Sequence, residues 1–342
     1  MEIDEDISSI ESIGVEDAEC SFGDISRISG DNSIQSQNNS NQTSISTSAD
    51  EITFDPTAFI EISDILGLVG KNWMIFRVSP LWNLKFDKNY LASLSKHFTL
   101  SIKKNIATNI KSQKHDSNLQ ISGTLEVKEA YQECIALKIQ VINTENDTLM
   151  YDGVLLKTPD YTTKKDKSNL LDMPVLLVQG SKPILTAVHN WLAESFDCVV
   201  RPYEFASYEF LWLIAISMGD AGQSYNETVL YHYLYNYEFS KCHTDIKFCI
   251  ESEFLRSTLT KLSINRSNTE ATSFHYSDLI KVQSEIEDHF KLSSGINASK
   301  LRLKAFEAPK VATINVSGKI LIRSSTLMDL ILKYLMELEH RK

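Results

Sequence analysis

Alternation and helical spacing divide the chain into recognisable elements. Trp73–Val78 is apolar on both faces (Trp73, Ile75; Met74, Phe76, Val78), which predicts an interior strand ended by Pro80. A long helix follows, capped by Asp87 and running to about Ile110. Its stripe is Leu91, Leu94, Phe98, Ile102 and Ile106, with Lys96, Lys103, Lys104 and Lys111 on roughly the opposite side. Leu119–Val127 and Ile135–Val141 alternate apolar with polar residues, and a polar turn, Asn143–Asp147, leads to Leu149–Leu156; the three are read as half-buried antiparallel strands. After a charged loop at 158–170 come a short strand, Val175–Val178, and a helix after Ser181 with Pro183 in its first turn. That helix buries Ile184, Val188, Trp191, Leu192 and Ser195.

A strand at Asp197–Val200 leads to the most apolar stretch, Ala206–Met218, which holds seven consecutive apolar residues from Phe210 to Ile216. A helix apolar on every side is expected to be enclosed on every side, and this one is too short to cross a bilayer. Gly219 is read as its stop. Thr228–Tyr237 places Tyr231, Tyr233, Tyr235 and Tyr237 on one face of a strand. Asp245–Ile250 is another strand, followed by a short helix at 252–262 and an amphipathic helix, Tyr276–Phe290. Leu301–Ala305 alternates, Val311–Val316 and Lys319–Ile322 form a hairpin about Ser317-Gly318, and Thr326–Glu339 closes as a helix. This order is not βαβα, so the class is α+β with largely antiparallel sheet and a central buried helix near 206–218. Asp55-Pro56 is expected to open the ordered part with a helix to about Leu66. The expected organisation is a tail at 1–52, an α+β half at 53–180, and a second at 181–342.

Charge changes the picture of the tail. Residues 1–50 carry eleven acids against Arg27 alone, so the rest of the chain is close to neutral despite a net charge of −11. The tail is rich in Ser, Asn and Gln and is expected not to fold alone. Ile3, Ile7, Ile10 and Ile13 lie at helical spacing within it, either as a docking helix or by chance. Five scattered cysteines, no CxxC pair, no secretory signal and no long apolar run indicate a reduced, intracellular protein without a membrane span.

Catalytic signatures are missing from the sequence: no Gly-rich phosphate loop, HExxH or GxSxG. The best nucleophile pair is Cys198 with His189, and both read better as buried structural residues. Cys242-His243 with Cys249 lacks metal-ligand spacing. No catalytic residue, metal or cofactor is assigned. Surfaces offer more. Lys300, Arg302 and Lys304 alternate about 6.7 Å apart on one strand face. Lys310, Lys319 and Arg323 come from the neighbouring hairpin. With Lys103 and Lys104 they make either a phosphate-binding surface or an ordinary solvated face. The tyrosine row either stacks bases or packs across strands. The hairpin residues Val311, Ile314, Val316, Ile320 and Ile322 lie either at a sheet edge open to a second chain or under the last helix.

Three blocks carry a family resemblance. Lys71-Asn72-Trp73-Met74-Ile75-Phe76-Arg77-Val78-Ser79-Pro80-Leu81 resembles the K-x-W…(S/T)-P-L block of centromere protein L. Trp191-Leu192-Ala193-Glu194-Ser195-Phe196-Asp197-Cys198, with Pro202 and a Trp-bearing apolar helix after it, is similar to that family's W…F-D-C…P block. Ser317-Gly318-Lys319-Ile320 and the last helix fit its C-terminal region. The likeness runs from about residue 60 to 340, except for 111–175. It implies a non-enzymatic inner-kinetochore scaffold in the nucleus, at the centromere. Such a subunit pairs with a centromere protein N-like partner through its C-terminal sheet and joins the other constitutive centromere network subunits. It helps embrace centromeric DNA beside the nucleosome, and some relatives self-pair. On this resemblance the 311–323 hairpin becomes the expected partner edge. The basic residues Lys300, Arg302, Lys304, Lys319, Lys103 and Lys104 become expected DNA contacts. The rival expectation is a cytosolic interaction adaptor without a nucleic-acid role.

Overall fold

The doubly apolar strand at Trp73 lies in the middle of the sheet. The computed structural model describes residues 66–110, 120–129, 135–157, 169–221, 230–239, 242–264 and 276–340. In chain order its strands are β1 (Asn72–Val78), β2 (Leu81–Trp82), β3 (Ile121–Glu129), β4 (Ile135–Asn143), β5 (Thr148–Leu156), β6 (Leu170–Leu171) and β7 (Val175–Gly180). They continue with β8 (Val200–Pro202), β9 (Leu230–Phe239), β10 (Cys242–Glu251), β11 (Arg302–Ala308), β12 (Ala312–Asn315) and β13 (Lys319–Ile322). The helices are α1 (Lys88–Ile110), α2 (Lys182–Phe196), α3 (Ser207–Ala221), α4 (Ser252–Ile264), α5 (Tyr276–Ser294) and α6 (Ser325–His340). The main sheet runs β10-β9-β11-β12-β13-β1-β7-β5-β4-β3, with β8 also beside β1 and every pairing antiparallel. The class is α+β, as the element order predicts. The helix expected from Asp55, the tail and the loop at 158–168 lie outside the described residues.

Helices cover opposite faces at the two ends of this sheet. On one face α1 and α2 pack over β3, β4, β5, β7 and β1, burying Phe98, Ile102, Val141, Leu176, Val188 and Trp191 together. On the other, α3, α5 and α6 cover β9 and β11–β13 and reach β1, burying Trp73, Ile75, Tyr233, Phe306, Ile320, Leu213 and Leu335. Only strands near the crossover have helices on both sides. This is why β1 and β7 are apolar without alternation, while β3 alternates.

Three local expectations are corrected. Asp197 is not in a strand: it caps α2 in the left-handed region at φ 48, and β8 starts at Val200. Gly219 does not stop α3, which continues to Ala221, because an interior glycine costs a helix only about 1 kcal/mol. Nor is α3 enclosed on every side. Phe210, Leu213 and Ile214 are buried, whereas Leu211, Trp212, Ala215 and Ile216 are half-buried along its outer side.

The β12–β13 turn is stitched to the centre of the molecule. The Ile75 amide donates to the Gly318 carbonyl at 2.8 Å, the Phe205 amide to the Val316 carbonyl at 2.9 Å, and the Tyr203 amide to the Ile75 carbonyl at 3.0 Å. Gly318 sits at φ +75, and a Cβ there would stand 2.4 Å from the Tyr203 carbonyl oxygen. Only glycine meets both conditions. Gly318→Ala is expected to cost about 2 kcal/mol or more, while Ser317→Ala, on the exposed side of the same turn, costs little. Urea unfolding of the two variants checks this, and equal midpoints would contradict it.

Candidate interaction surface

Beyond β1 no described helix covers the face that carries α1 and α2. The register fixes which side chains lie there. Met74, which packs under α2, is paired with Lys319, and from Asn72 a cross-strand row runs through Leu321, Thr313, Glu307 and His232 to Cys249. Arg302 and Lys304 stand on the same open face, beside Asn236 of β9. The sheet there is roofed by its own charges. Lys304 Nζ is paired with Asp245. Glu307 Oε2 takes both Lys247 Nζ and His232 Nδ1 at 3.3 Å. Lys300, Arg302 and Lys319 are exposed and make no ion pair among the described residues.

The structure therefore divides the expected basic stripe. Lys304 is neutralised in place, which alternation along one strand does not reveal. Lys103 and Lys104 do not join the stripe either. They lie on α1, over the far end of the sheet, with α2 between. Six strand spacings separate β11 from β4, about 29 Å.

The hairpin is corrected outright as an edge. β12 has β11 and β13 on its sides, and β13 has β12 and β1. Val311, Ile314, Ile320 and Ile322 are buried in the core under α6, and Val316 is half-buried. The row Tyr231, Tyr233, Tyr235 is interior too. Tyr233 and Tyr235 lie against Phe290, and only Tyr237 is exposed, so base stacking by the row is ruled out. Among the described strands of the main sheet, β10, β3 and the three-residue β8 have an unpaired side. Which strand is outermost depends on pairings between distant segments, and no local pattern reports it.

An ion-paired knot sits behind β1 on the opposite face. The Arg77 guanidinium lies 4.2 Å over the Tyr203 ring, with its Nε 3.0 Å from Glu339 of α6 and a terminal nitrogen 3.7 Å from Glu209 of α3. Tyr203 donates its hydroxyl to Glu339 at 3.0 Å. Burial opposes the charge on Arg77, but Tyr203 and the two carboxylates outweigh it and hold the guanidinium protonated. The knot joins the central strand to two helices.

Nothing joins His189 to Cys198. Burial pushes the Cys198 thiol up to about 11, away from the thiolate a nucleophile needs. His189 packs edge-on against Phe76 at 4.5 Å, and its Nε2 is buried without a hydrogen-bond partner. No described group of three potential ligands is arranged to hold a metal, and no described helix is long and apolar enough to cross a membrane.

The family model for centromere protein L matches residues 67–335. The chain belongs to the centromere protein L family. It is 22% identical to centromere protein L of Xenopus tropicalis over 287 residues, covering 79% of this chain and 78% of the relative. It is 23% identical to that of Bos taurus over 285 residues, covering 79% of each. The large apolar residues of the blocks that resemble centromere protein L, Trp73, Trp191, Phe196 and Ile320, are interior. Trp73 Nε1 donates to the Leu68 carbonyl at 2.8 Å, and Trp191 sits between Phe98 at 4.4 Å and Phe196 at 5.6 Å. Both tryptophans are core residues of the fold.

His189 gives the fold a pH dependence. Burial pushes its imidazole down to about 4, below the ordinary 6.5. The native state holds it neutral, and the unfolded chain takes the proton. The stability it contributes is thus present above about 6.5 and lost as pH falls toward 4. Between pH 7 and pH 5 the loss amounts to about 2 kcal/mol. His189→Phe should remove that part of the slope in urea unfolding at the two pH values, whereas an unchanged slope would assign it to other groups.

Proposed function

We propose that this chain is a non-enzymatic scaffold subunit of the inner kinetochore. It works at the centromere in the nucleus, paired with a centromere protein N-like partner and joined to other constitutive centromere network subunits. Together they help hold the centromeric nucleosome and its DNA for chromosome segregation. The observation that carries this is the family match, which extends over nearly all of the described fold. In this reading residues 181–342 form the pairing half, and in isolation a second copy takes the partner's place.

The pairing edge in this reading is β10. It is ten residues long, about 34 Å of strand, and unpaired on its outer side. An edge of that length is a template for strand addition. DNA phosphates are taken by Arg302 and Lys319 on the open face and by Lys300, which ends a 3-10 turn (Ala298–Lys300) before β11 rather than alternating along the strand; among the described residues no acid pairs with them. The contacts carry no base readout, so affinity falls steeply with salt. One observation favours a second reading, an interaction adaptor with no nucleic-acid role: Lys304 and Lys247 on the same face are already paired with Asp245 and Glu307.

Two experiments test the proposal. Amide exchange of the chain with and without the N-type partner should show protection appearing along 242–251. Protection confined to other segments would move the interface. Charge reversal of Lys300, Arg302 and Lys319 together should weaken duplex binding and flatten the log–log salt slope by about 0.9 for each phosphate no longer neutralised. Lys304→Glu alone should change it little. Unchanged affinity in the triple variant would leave the adaptor reading.

A further inference from the structure

α1 carries a surface that neither the fold nor the proposed DNA contacts use. Its 23 residues include four lysines and no Asp or Glu. Asp87, just before it, accepts the Tyr90 amide at 2.9 Å as the cap. Lys88, Lys96, Lys103 and Lys104 are all exposed, and among the described residues none is in an ion pair. α2, packed alongside, contributes Glu194 to its own exposed side, and Glu194 joins none of them.

In the middle of these charges stands Leu100, 67% exposed. On a helix surface a residue's neighbours are those three and four positions away. For Leu100 they are His97 and Lys96 on one side and Lys103 and Lys104 on the other, all exposed. His97 Nδ1 lies 3.5 Å from the Trp191 indole nitrogen, so its Nε2 faces outward. An isolated exposed leucine is ordinary. A leucine ringed on all four sides by three lysines and a histidine is a combined apolar and cationic spot. The like charges repel one another, and no described acid is paired with them.

We infer that the Leu100 ring on α1 is a docking spot for an acidic peptide of a partner protein, with one large apolar side chain among its carboxylates. Charge complementarity selects the acidic chain, since every cation in the ring is available. Leu100 selects a peptide over a phosphodiester backbone, which would engage the lysines and leave the leucine unmatched. α1 lies toward the opposite end of the sheet, with β4 four strand spacings, about 19 Å, from the β13 strand of Lys319 and six, about 29 Å, from the β11 strand of Arg302, so the two sites are tested apart.

The probe is a labelled synthetic peptide of glutamates around a single leucine, titrated into the full chain by fluorescence anisotropy. A peptide with serine in place of that leucine and a DNA duplex serve as comparisons. The leucine peptide is expected to bind more tightly than the serine peptide. Leu100→Ser should weaken it about tenfold, the equivalent of 1.4 kcal/mol, and leave duplex binding unchanged. Lys96→Glu with Lys103→Glu and Lys104→Glu should abolish peptide binding. These residues are exposed, and circular dichroism of each variant checks that the fold is intact. Failure of the leucine peptide to bind, equal binding of the two peptides, or indifference to Leu100→Ser overturns the inference. Loss of duplex rather than peptide binding in the triple variant also overturns it and makes α1 a phosphate surface.

Discussion

The fold depends on β1 having no free side. Its edges are taken by β13 with β8 and by β7, and its faces by two helical layers that belong to different parts of the chain. A strand so placed has to be apolar throughout and has to accept partners from residues 175 to 322. Trp73 and Ile75 serve one core; Met74, Phe76 and Val78 serve the other. Asn72, exposed at the start of the strand, and Arg77 are the exceptions, and Arg77 is tolerated because Tyr203, Glu209 and Glu339 surround its charge. The close fit of Gly318 against Tyr203 follows from the same crowding.

Because the two helical layers lie on opposite faces, each end of the sheet keeps one face that no described helix covers. That C-terminal face, with its row from Leu321 to Cys249, is a product of this architecture rather than of any one segment. It carries charges of both signs that pair across β9. What remains unpaired there is a smaller set of cations than the alternation along β11 predicts.

Periodicity made most elements legible. Helices and strands from Asp87 onward fall close to where the pattern puts them, because burial on one side dictates spacing. Relations between distant segments were not legible. The hairpin around Ser317-Gly318 reads as Val/Ile-rich whether it is an edge or an interior pair, and its neighbours β11 and β1 decide the matter. The enclosure of α3 was overstated for a related reason: apolar residues on a helix do not reveal whether anything covers them, and Trp212 is covered only in part. The α1 lysines were visible in the sequence. That Leu100 stands among them was available from i±3 and i±4 spacing, but its exposure was not.

The large apolar residues of the blocks that resemble centromere protein L are core residues, so family membership speaks first about the fold. The functional account rests on surfaces, and the most direct test is made in the cell. A tagged copy of the full chain should appear as paired foci on chromosomes in dividing cells and co-purify with an N-type partner. A signal that avoids chromosomes, with no chromatin protein in the purification, would contradict the kinetochore assignment.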